Sequence, residues 1–478
     1  MKPSLLYLEK DKEISSYVFK DLNLVSVFND QIIEILSYPC SKQELLARQS
    51  VFLEMKNDSV FDAIVSCRSL IGDLKRVLIL FDEAKTDIER LFLRVNSLEL
   101  YLLACQAMAA LQGSGRLGEV SNYFNQDYSK LSEAIAEAKS ILNCITDVNL
   151  RLAKDQYIAN KCQEEKPLFE ELCDCAKELN IDFLIKKRPA AHPDVYISNV
   201  YCAVYKEELK KIHRLIEPFS SVDCSELLSY IPEFDFFIRM EEFGRKAERN
   251  RISRCIPLIS ETREFVLKEM YDFTLVKDLE KEIVPNDTYF CTDKAFFFLL
   301  GANGGGKTTY LRAVGSNLIL FLAGCPVFAK SCVAYPFSNV CTHYPVDERF
   351  GNGGRLDDEK RRVEQMLIGN IQETFFLFNE TFSGTNEAKG YALAIDTVEK
   401  LQQNGCFGLF VTHFHQVRET TIPILTVVVK NDEHHCRTYK ITRTEAEAYS
   451  YAEDILMKYR MDRQSLTERL KIENLGDI

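Results

Sequence analysis

The sequence predicts an α-helical region followed by an α/β region with a mostly parallel sheet. No proline occurs between Pro39 and Pro167, and apolar residues recur there at the spacing of amphipathic helices. Beyond Pro257, short apolar runs of strand length alternate with helical patterns, as in sheets covered by helices. We therefore expect a helical domain over residues 1–256, an α/β domain over 257–445, and a C-terminal helical segment over 446–478.

Long amphipathic helices dominate the first region. They fit either a lever-like coiled arrangement or an ordinary helical bundle, because both bury one apolar stripe per helix. Residues 113–115 are expected to end the first helix, and residues 186–193 are expected to form a loop or hinge. Helical spacing resumes over 224–246. The apolar positions are Ile88, Leu91, Phe92, Val95, Leu98 and Leu102; then Leu131, Ile135, Ala138, Leu142 and Ile145; then Tyr205, Leu209, Ile212 and Ile216.

A glycine-rich stretch in the second region has the pattern G-x-x-x-x-G-K-[ST]. An apolar run of strand length precedes it and a helical pattern follows it, which is the arrangement expected of a P-loop. Glycines let backbone N–H groups surround phosphate oxygens, and the helix N-terminus adds further donors. Lys307 is expected to reach the β and γ phosphates of ATP, and the Thr308 hydroxyl to bind Mg²⁺. The predicted nucleotide-binding residues are Gly301, Ala302, Asn303, Gly304, Gly305, Gly306, Lys307, Thr308 and Thr309.

Two later apolar runs end in polar side chains. Asn379 and Glu380 follow the run that starts at Phe375, and His413 follows the run that starts at Gly408. Glu380 is the predicted catalytic carboxylate, since a carboxylate there can orient and deprotonate an attacking water. Asn379 is the second predicted metal residue, but its neutral carbonyl predicts weaker Mg²⁺ binding than an aspartate would give. His413 is predicted to contact the γ-phosphate or the attacking water.

Composition and charge limit which nucleic-acid, metal and membrane functions the sequence allows. The net charge of −12 argues against coating of nucleic acid by the whole surface. Short basic clusters at residues 186–188, 245–246 and 360–362 are either phosphate contacts or solvated helix faces and loops. The 16 cysteines include no C-x-x-C pair that would suggest zinc, and His434–Cys436 fits a hairpin loop better than a metal site. No apolar run reaches the roughly 18 residues of a membrane span, so we expect a cytoplasmic protein without a membrane partner.

Together these motifs resemble the ATPase domain of the MutS family of DNA mismatch-repair proteins, which are relatives of the ABC-type ATPases. The resemblance implies a P-loop ATPase that uses ATP and Mg²⁺, binds duplex, mismatched or branched DNA, and works as a homodimer. The helical region is similar to the family's core or lever domain in pattern alone. The matching segments are residues 301–312, 323–329, 377–385, 411–415, 439–441 and 450–455.

The sequence also departs from the family's pattern. Asn379 replaces the usual metal-strand aspartate. The segment that reaches across the dimer to the partner's γ-phosphate falls at residues 353–359, where Gly354 offers a backbone donor and Arg355 a charge, although a flexible loop would look the same. The N-terminal region looks too short for a separate mismatch-reading domain, so we expect a short form that lacks it.

Three functions therefore remain open. The first is an ATP-hydrolysing switch of a dimeric DNA clamp. The second is an ATP-gated dimerisation module that acts on a protein partner without mismatch recognition. The third is a phosphoryl transferase, which the long helical region and the strand that ends at His413 disfavour.

Overall fold

The computed structural model describes residues 2–8, 10, 12–145, 148–153, 156–161, 195–277, 283–345, 355–369, 371–429 and 437–443. Within them the α-helices are α1 Ser16–Asp21, α2 Asp30–Leu36, α3 Lys42–Glu54, α4 Asp58–Glu83, α5 Asp87–Ala109, α6 Gly115–Phe124, α7 Ser129–Leu142, α8 Val195–Val204, α9 Lys206–Ile216, α10 Ser225–Leu228, α11 Ile231–Arg249, α12 Lys307–Leu322, α13 Arg355–Met366 and α14 Glu387–Gln403.

The β-strands are β1 Val148–Ala153, β2 Gln156–Lys161, β3 Leu258–Ile259, β4 Glu264–Met270, β5 Asn286–Cys291, β6 Phe296–Leu300, β7 Ser331–Ala334, β8 Asn339–His343, β9 Thr374–Asn379, β10 Phe407–Val411, β11 Ile424–Val429 and β12 Arg437–Arg443. The chain is thus helical in its N-terminal part and mixed α/β after it, as predicted. None of the described helices is long and apolar enough to cross a membrane.

The chain divides into two compact units, and the division differs from the expected boundary at residue 257. One unit comprises Met1–Leu6 and Glu54–Ile238, and the other comprises Tyr7–Leu53 and Arg239–Ile478. Residues 7–53 thus fold with the α/β part, although they precede the long helices in sequence. The reason is a set of buried polar contacts that a local sequence pattern does not show.

Arg48 illustrates why the N-terminal segment belongs to the α/β unit. Its guanidinium is fully buried and donates to the Glu44 carboxylate (2.7 Å), the Ala323 carbonyl (2.9 Å) and the Tyr7 carbonyl (2.7 Å). A buried guanidinium is tolerated only when its donors are satisfied in this way. The Asp21 carboxylate likewise accepts a hydrogen bond from the Thr342 hydroxyl at 2.6 Å.

The helical unit contains a bundle formed by α5, α7 and α9, together with α4 beside α5. Of the predicted apolar positions, Leu91 and Leu209 pack at the edge of this core, and Ile145 is buried just beyond the end of α7. Helix α5 ends before Gly113, as expected. The helical pattern over 224–246 forms two helices, α10 and α11, rather than one. The buried core of the bundle is Val95, Leu98, Leu102, Leu131, Ile135, Ala138, Ile212 and Ile216.

A hairpin of β1 and β2 also lies in this unit and was not expected from the sequence. The predicted loop at residues 186–193 lies outside the described residues.

The α/β unit contains a six-stranded sheet with the order β12-β11-β6-β10-β9-β8. Every neighbouring pair is parallel except β11 with β12, which is antiparallel. This confirms the mostly parallel sheet. His434–Cys436, which the sequence assigns to a hairpin loop, lie outside the described residues. A second sheet, with the order β3-β7-β4-β5 and mainly antiparallel pairs, was not expected.

Helices cover both faces of the six-stranded sheet. All residues of β6 and β10 are buried, as expected for strands covered on both sides. On β9, Phe376 and Phe378 pack into one core with α14, whereas Leu377 faces Gly315 of α12. This alternation follows the two-residue period of a strand. The parallel pairing of β6, β10 and β9 places their carboxyl ends side by side, near the start of α12.

Candidate functional site

The predicted glycine loop joins β6 to α12, the arrangement expected from the sequence. The backbone is left-handed at Gly301 (φ 144°), Gly304 (φ 73°) and Gly306 (φ 94°), a region that favours glycine. At Gly301 a Cβ would also lie only 2.7 Å from Cγ2 of Val427 on β11. The loop therefore needs glycine for both its dihedral angles and its packing. It leaves the N-terminus of α12, which begins at Lys307, open toward a cavity.

Lys307 is a buried cation at the foot of this loop. Its side chain is only 4% exposed, and its Nζ donates to the Gly301 carbonyl (2.6 Å) and to Oδ1 of Asn303 (3.2 Å). Burial lowers the pKa of Lys307, and the nearby Glu380 carboxylate partly opposes this effect. A desolvated cation of this kind favours an anionic ligand, because the ligand restores the interactions that water would provide.

Thr308 and Asn379, the two predicted metal residues, are neighbours. The Thr308 hydroxyl, in the first turn of α12, donates to Oδ1 of Asn379 at the end of β9, over 3.2 Å. Both are uncharged oxygen donors, which Mg²⁺ accepts in proteins. The donor set fits Mg²⁺ in its chemistry, but an ion here would depend on phosphate and water oxygens for most of its ligands.

Glu380 leaves the end of β9 in a left-handed conformation (φ 49°). Its N–H donates to the Val411 carbonyl of the neighbouring strand at 2.9 Å. The carboxylate is about one-third exposed and lies 3.8 Å from Nζ of Lys307. The structure thus brings together Lys307 and Glu380, which are far apart in sequence, with Thr308 directly beside Lys307. A partly exposed carboxylate at this place can accept a proton from a water molecule.

His413 follows β10, at the same edge of the sheet. Val411, the last residue of β10, pairs with Asn379 on one side and Leu299 on the other. The His413 side chain is exposed, and its ring packs on Phe414 with 4.8 Å between centroids. It is not among the residues that line the cavity beside Lys307. The structure therefore places His413 near the correct strand ends but not in the cavity wall.

A cavity of about 450 Å³ opens beside α12, a size typical of small-molecule sites. Its polar end is formed by the glycine loop, the first turn of α12 and Glu380. The sequence missed most of the remaining wall, because β5, the 270–284 region and β12 come from separate parts of the chain and carry no motif. These additional residues are Met270, Asp272, Leu275, Ile283, Val284, Asn286, Tyr310, Ala313 and Tyr439.

His343, at the end of β8, is a second histidine that the sequence reasoning missed. It is fully buried, and its Nδ1 lies 2.9 Å from the hydroxyl of Thr381, the residue after Glu380. Burial, aided by the positive charge of Arg362, lowers the pKa of His343 to about 3, so the ring is neutral at physiological pH. A signal was present, since apolar strands end in Thr-His at both 342–343 and 412–413.

Most of the candidate phosphate-binding residues that the structure describes have partners within the chain. On α13, Lys360 pairs with Glu364 (3.9 Å) and Arg361 with Asp358 (3.3 Å). The Arg362 guanidinium lies over the Tyr17 ring (5.7 Å). Arg245 pairs with Glu241 at 2.8 Å. These pairs favour the interpretation that the described basic clusters are solvated helix faces rather than phosphate-binding sites.

The segment predicted to reach a partner subunit is described only in part. Gly354 lies outside the described residues, and so does the basic cluster at 186–188. Arg355 begins α13.

Comparison with known proteins shows a likeness to one family. Residues 297–466 match the family model described as MutS domain V. This part of the chain is thus similar to MutS domain V. The matched region contains β6, the glycine loop, β9 and β10, and so it covers every described residue of the candidate site except the wall that precedes residue 297.

Similar proteins include three described as "DNA mismatch repair protein MutS". The protein from Geobacillus sp. (strain WCH70) is 22% identical over 268 residues, which cover 55% of this chain and 28% of that protein. The protein from Bacillus velezensis is 26% identical over 250 residues (48% and 29%). The protein from Methanococcoides burtonii is 30% identical over 229 residues (45% and 22%). This chain thus spans less than a third of the length of each of these MutS proteins.

Proposed function

We propose that this chain hydrolyses ATP to switch a dimeric DNA clamp. The observation that carries the proposal is the convergence of Lys307, Thr308 and Glu380 at one end of the 450 Å³ cavity, with Asn379 hydrogen-bonded to Thr308. These residues supply a buried cation, two oxygen donors and a carboxylate. That combination suits the charge of a triphosphate and the activation of water.

ATP fits the two chemically different ends of the cavity. Its phosphates would bind the backbone N–H groups of the glycine loop, the N-terminus of α12 and the Lys307 ammonium. Its base would contact the apolar wall that Met270, Leu275 and Val284 form with the ring of Tyr439. The fold class expected from the sequence, an ABC-like P-loop domain of MutS type, is part of this proposal.

Mg²⁺ would be held by the Thr308 hydroxyl and the Asn379 carbonyl. When bound, it neutralises the negative charge that develops on the transferred phosphoryl group. Because neither protein ligand is charged, we expect weaker Mg²⁺ affinity than an aspartate at position 379 would give.

Glu380 would act as the general base in hydrolysis. It would take a proton from the attacking water as the water oxygen bonds to the γ-phosphorus and the bond to the bridging oxygen breaks, which releases ADP and phosphate. Lys307 would stabilise the charge on the phosphate oxygens. His413 would contact the γ-phosphate, and in the present conformation it stands beside the cavity rather than in its wall.

The dimer is the remaining part of the proposal. Gly354 and Arg355 of one chain would close the nucleotide site of its partner, and the segment 446–478 would support dimerisation. ATP binding would join two α/β regions and hydrolysis would release them. A core or lever domain over residues 1–256 would carry this change to DNA, in a cytoplasmic setting.

The test is ATP turnover, nucleotide affinity and mass in solution for the native chain, Lys307→Ala and Glu380→Gln. Loss of the buried cation should weaken ATP binding about a hundredfold. Glu380→Gln should retain ATP, slow turnover by about a hundredfold to ten-thousandfold, and prolong the dimer. Lys400→Ala, which removes an exposed lysine paired with exposed Asp396 on α14, serves as the control. Equal turnover in all four proteins would refute the site assignment.

A second function is an ATP-gated dimerisation module that acts on a protein partner. The paired basic residues of α13 and the net charge of −12 favour it. Binding to duplex, mismatched and branched DNA, measured against salt concentration with and without ATP, separates the two. A DNA clamp requires a clear negative log–log salt slope, whereas a slope near zero supports the protein partner.

A further inference from the structure

The backbone that carries Glu380 is held in an unfavourable conformation. Both Glu380 (φ 49°) and Phe382 (φ 67°) are left-handed, which costs a residue with a Cβ roughly 1–2 kcal/mol. Such a conformation persists only where surrounding contacts impose it. The contacts of residues 380–382 therefore decide where the Glu380 carboxylate lies.

Two buried side chains, which belong to different elements, contact residues 381 and 382. Oε2 of Glu359, on α13, accepts a hydrogen bond from the Phe382 N–H at 2.9 Å. Nδ1 of His343, at the end of β8, lies 2.9 Å from the Thr381 hydroxyl. Glu359 is 4% exposed, and Thr381 and His343 are fully buried. Water therefore cannot easily replace either contact, and a carboxylate acceptor makes the first one stronger than a neutral pair.

The third restraint is packing of α14 against the same segment. At Gly390 a Cβ would lie 2.7 Å from the Phe382 carbonyl oxygen. This carbonyl thus has no room to move toward α14. On its other side, the Phe382 N–H is held by Glu359 of α13.

We propose that Glu359 and His343 are positioning residues for Glu380 in ATP hydrolysis, an inference that rests on the proposed function. They hold the left-handed backbone of residues 380–382 so that the carboxylate stays beside Lys307. Helix α13 begins at Arg355, the residue expected to reach the partner subunit. A shift of α13 would thus be passed through Glu359 to the general base.

The test compares kcat and nucleotide affinity in the native chain, Glu359→Ala, Glu359→Gln and Glu364→Ala. Glu359→Ala should lower kcat about tenfold to a hundredfold and leave the affinity for a fluorescent ATP analogue within about threefold. Glu359→Gln keeps an acceptor oxygen and should recover most of the rate. Glu364→Ala is the matched control, because Glu364 lies on the same helix but is exposed and pairs with exposed Lys360.

Thr381→Val provides an independent variant, since it keeps the side-chain shape and removes the hydroxyl that His343 contacts. It should also lower kcat with little change in affinity, and it decides the question if Glu359→Ala does not fold. Native kcat in Glu359→Ala and Thr381→Val, or equal losses of kcat and affinity, would overturn the positioning role. A native chain that does not hydrolyse ATP would instead overturn the proposed function.

Discussion

His343 is a single residue whose charge state ties stability to pH. Its pKa is lowered to about 3 in the fold, chiefly by burial, against about 6.5 when the chain is unfolded. Arg362 is the charged group that adds to this effect. Below pH 6.5 the unfolded chain takes up a proton that the folded chain does not, so the free energy of unfolding falls as the pH falls from about 6.5 toward 3.

We predict that His343→Gln reduces this loss. Between pH 7 and pH 5 the native chain should lose about 2 kcal/mol more stability than the variant. Urea unfolding at both pH values measures the difference. His415→Gln, which changes an exposed histidine, is the control and should behave as the native chain does. A native pH dependence in His343→Gln would show that the buried ring stays protonatable.

Gly301 gives a second prediction at this scale. Gly301→Ala combines a left-handed φ with a contact of 2.7 Å to the short, stiff side chain of Val427. Gly369→Ala also places a side chain on a left-handed residue (φ 92°), but its Cβ would meet no atom within 4 Å. We expect a loss of about 1 kcal/mol for Gly369→Ala and about 2–4 kcal/mol for Gly301→Ala. Comparable urea midpoints for the two variants would mean that β11 moves aside.

The sequence singles out individual residues where a local pattern states their chemistry. The glycine loop, Lys307, Thr308 and Asn379 with Glu380 are candidate site residues because spacing within about ten residues defines each motif. His343 and Glu359 were not found. Their role comes from contacts with residues 381 and 382, which are 38 and 23 positions away.

At the scale of elements, helix α14 packs closely against the segment that carries Glu380. Gly390 lets this helix approach the Phe382 carbonyl, and a Cβ would also meet the Phe414 ring at 2.6 Å. Alanine normally stabilises a helix interior by about 1 kcal/mol over glycine. Here the backbone clash should outweigh that gain.

We predict that Gly390→Ala destabilises the chain by about 1–3 kcal/mol and slows ATP turnover. Gly72→Ala is the matched variant within helix α4, where the Cβ meets Nη1 at the end of the Arg68 side chain, while Nε and Nη2 of Arg68 pair with Asp235. It should be neutral or slightly stabilising. Thermal denaturation of both variants tests this, and a Gly390→Ala chain as stable as Gly72→Ala would contradict the packing argument.

At the scale of the whole molecule, each compact unit combines stretches that are separate in the sequence. Residues 7–53 fold with the α/β unit, and α11 contributes to it through Phe243, whose ring lies 5.5 Å from that of Phe328. Glu241 and Arg254 form a buried ion pair at 2.6 Å in the same unit. A boundary at residue 257 would separate Phe243 from Phe328 and the Arg48 guanidinium from the Ala323 carbonyl.

We therefore predict that a chain beginning at residue 257 does not fold cooperatively. The truncation removes Phe243 and Leu22, which pack on Phe328 and beside Gly315. Each apolar side chain that loses its cover costs about 1.5–3 kcal/mol, a large part of a typical domain's stability. Residues 7–53 joined by a flexible linker to 239–478 should unfold in one cooperative thermal transition. A sharp transition at a similar temperature in the shorter chain would show that the N-terminal segment is dispensable.

The sequence by itself determined the helical and α/β regions, the parallel strands, and the loop with its lysine and threonine. Each follows either from apolar residues that recur every two or 3.6 positions or from a short motif. Only the tertiary structure decided the second sheet, the cavity wall with Tyr439, and the membership of residues 7–53. These depend on pairings such as that of Asp21 with Thr342, 321 residues apart. Contacts across such distances leave no local pattern, because burial and charge pairing act between atoms that only folding brings together.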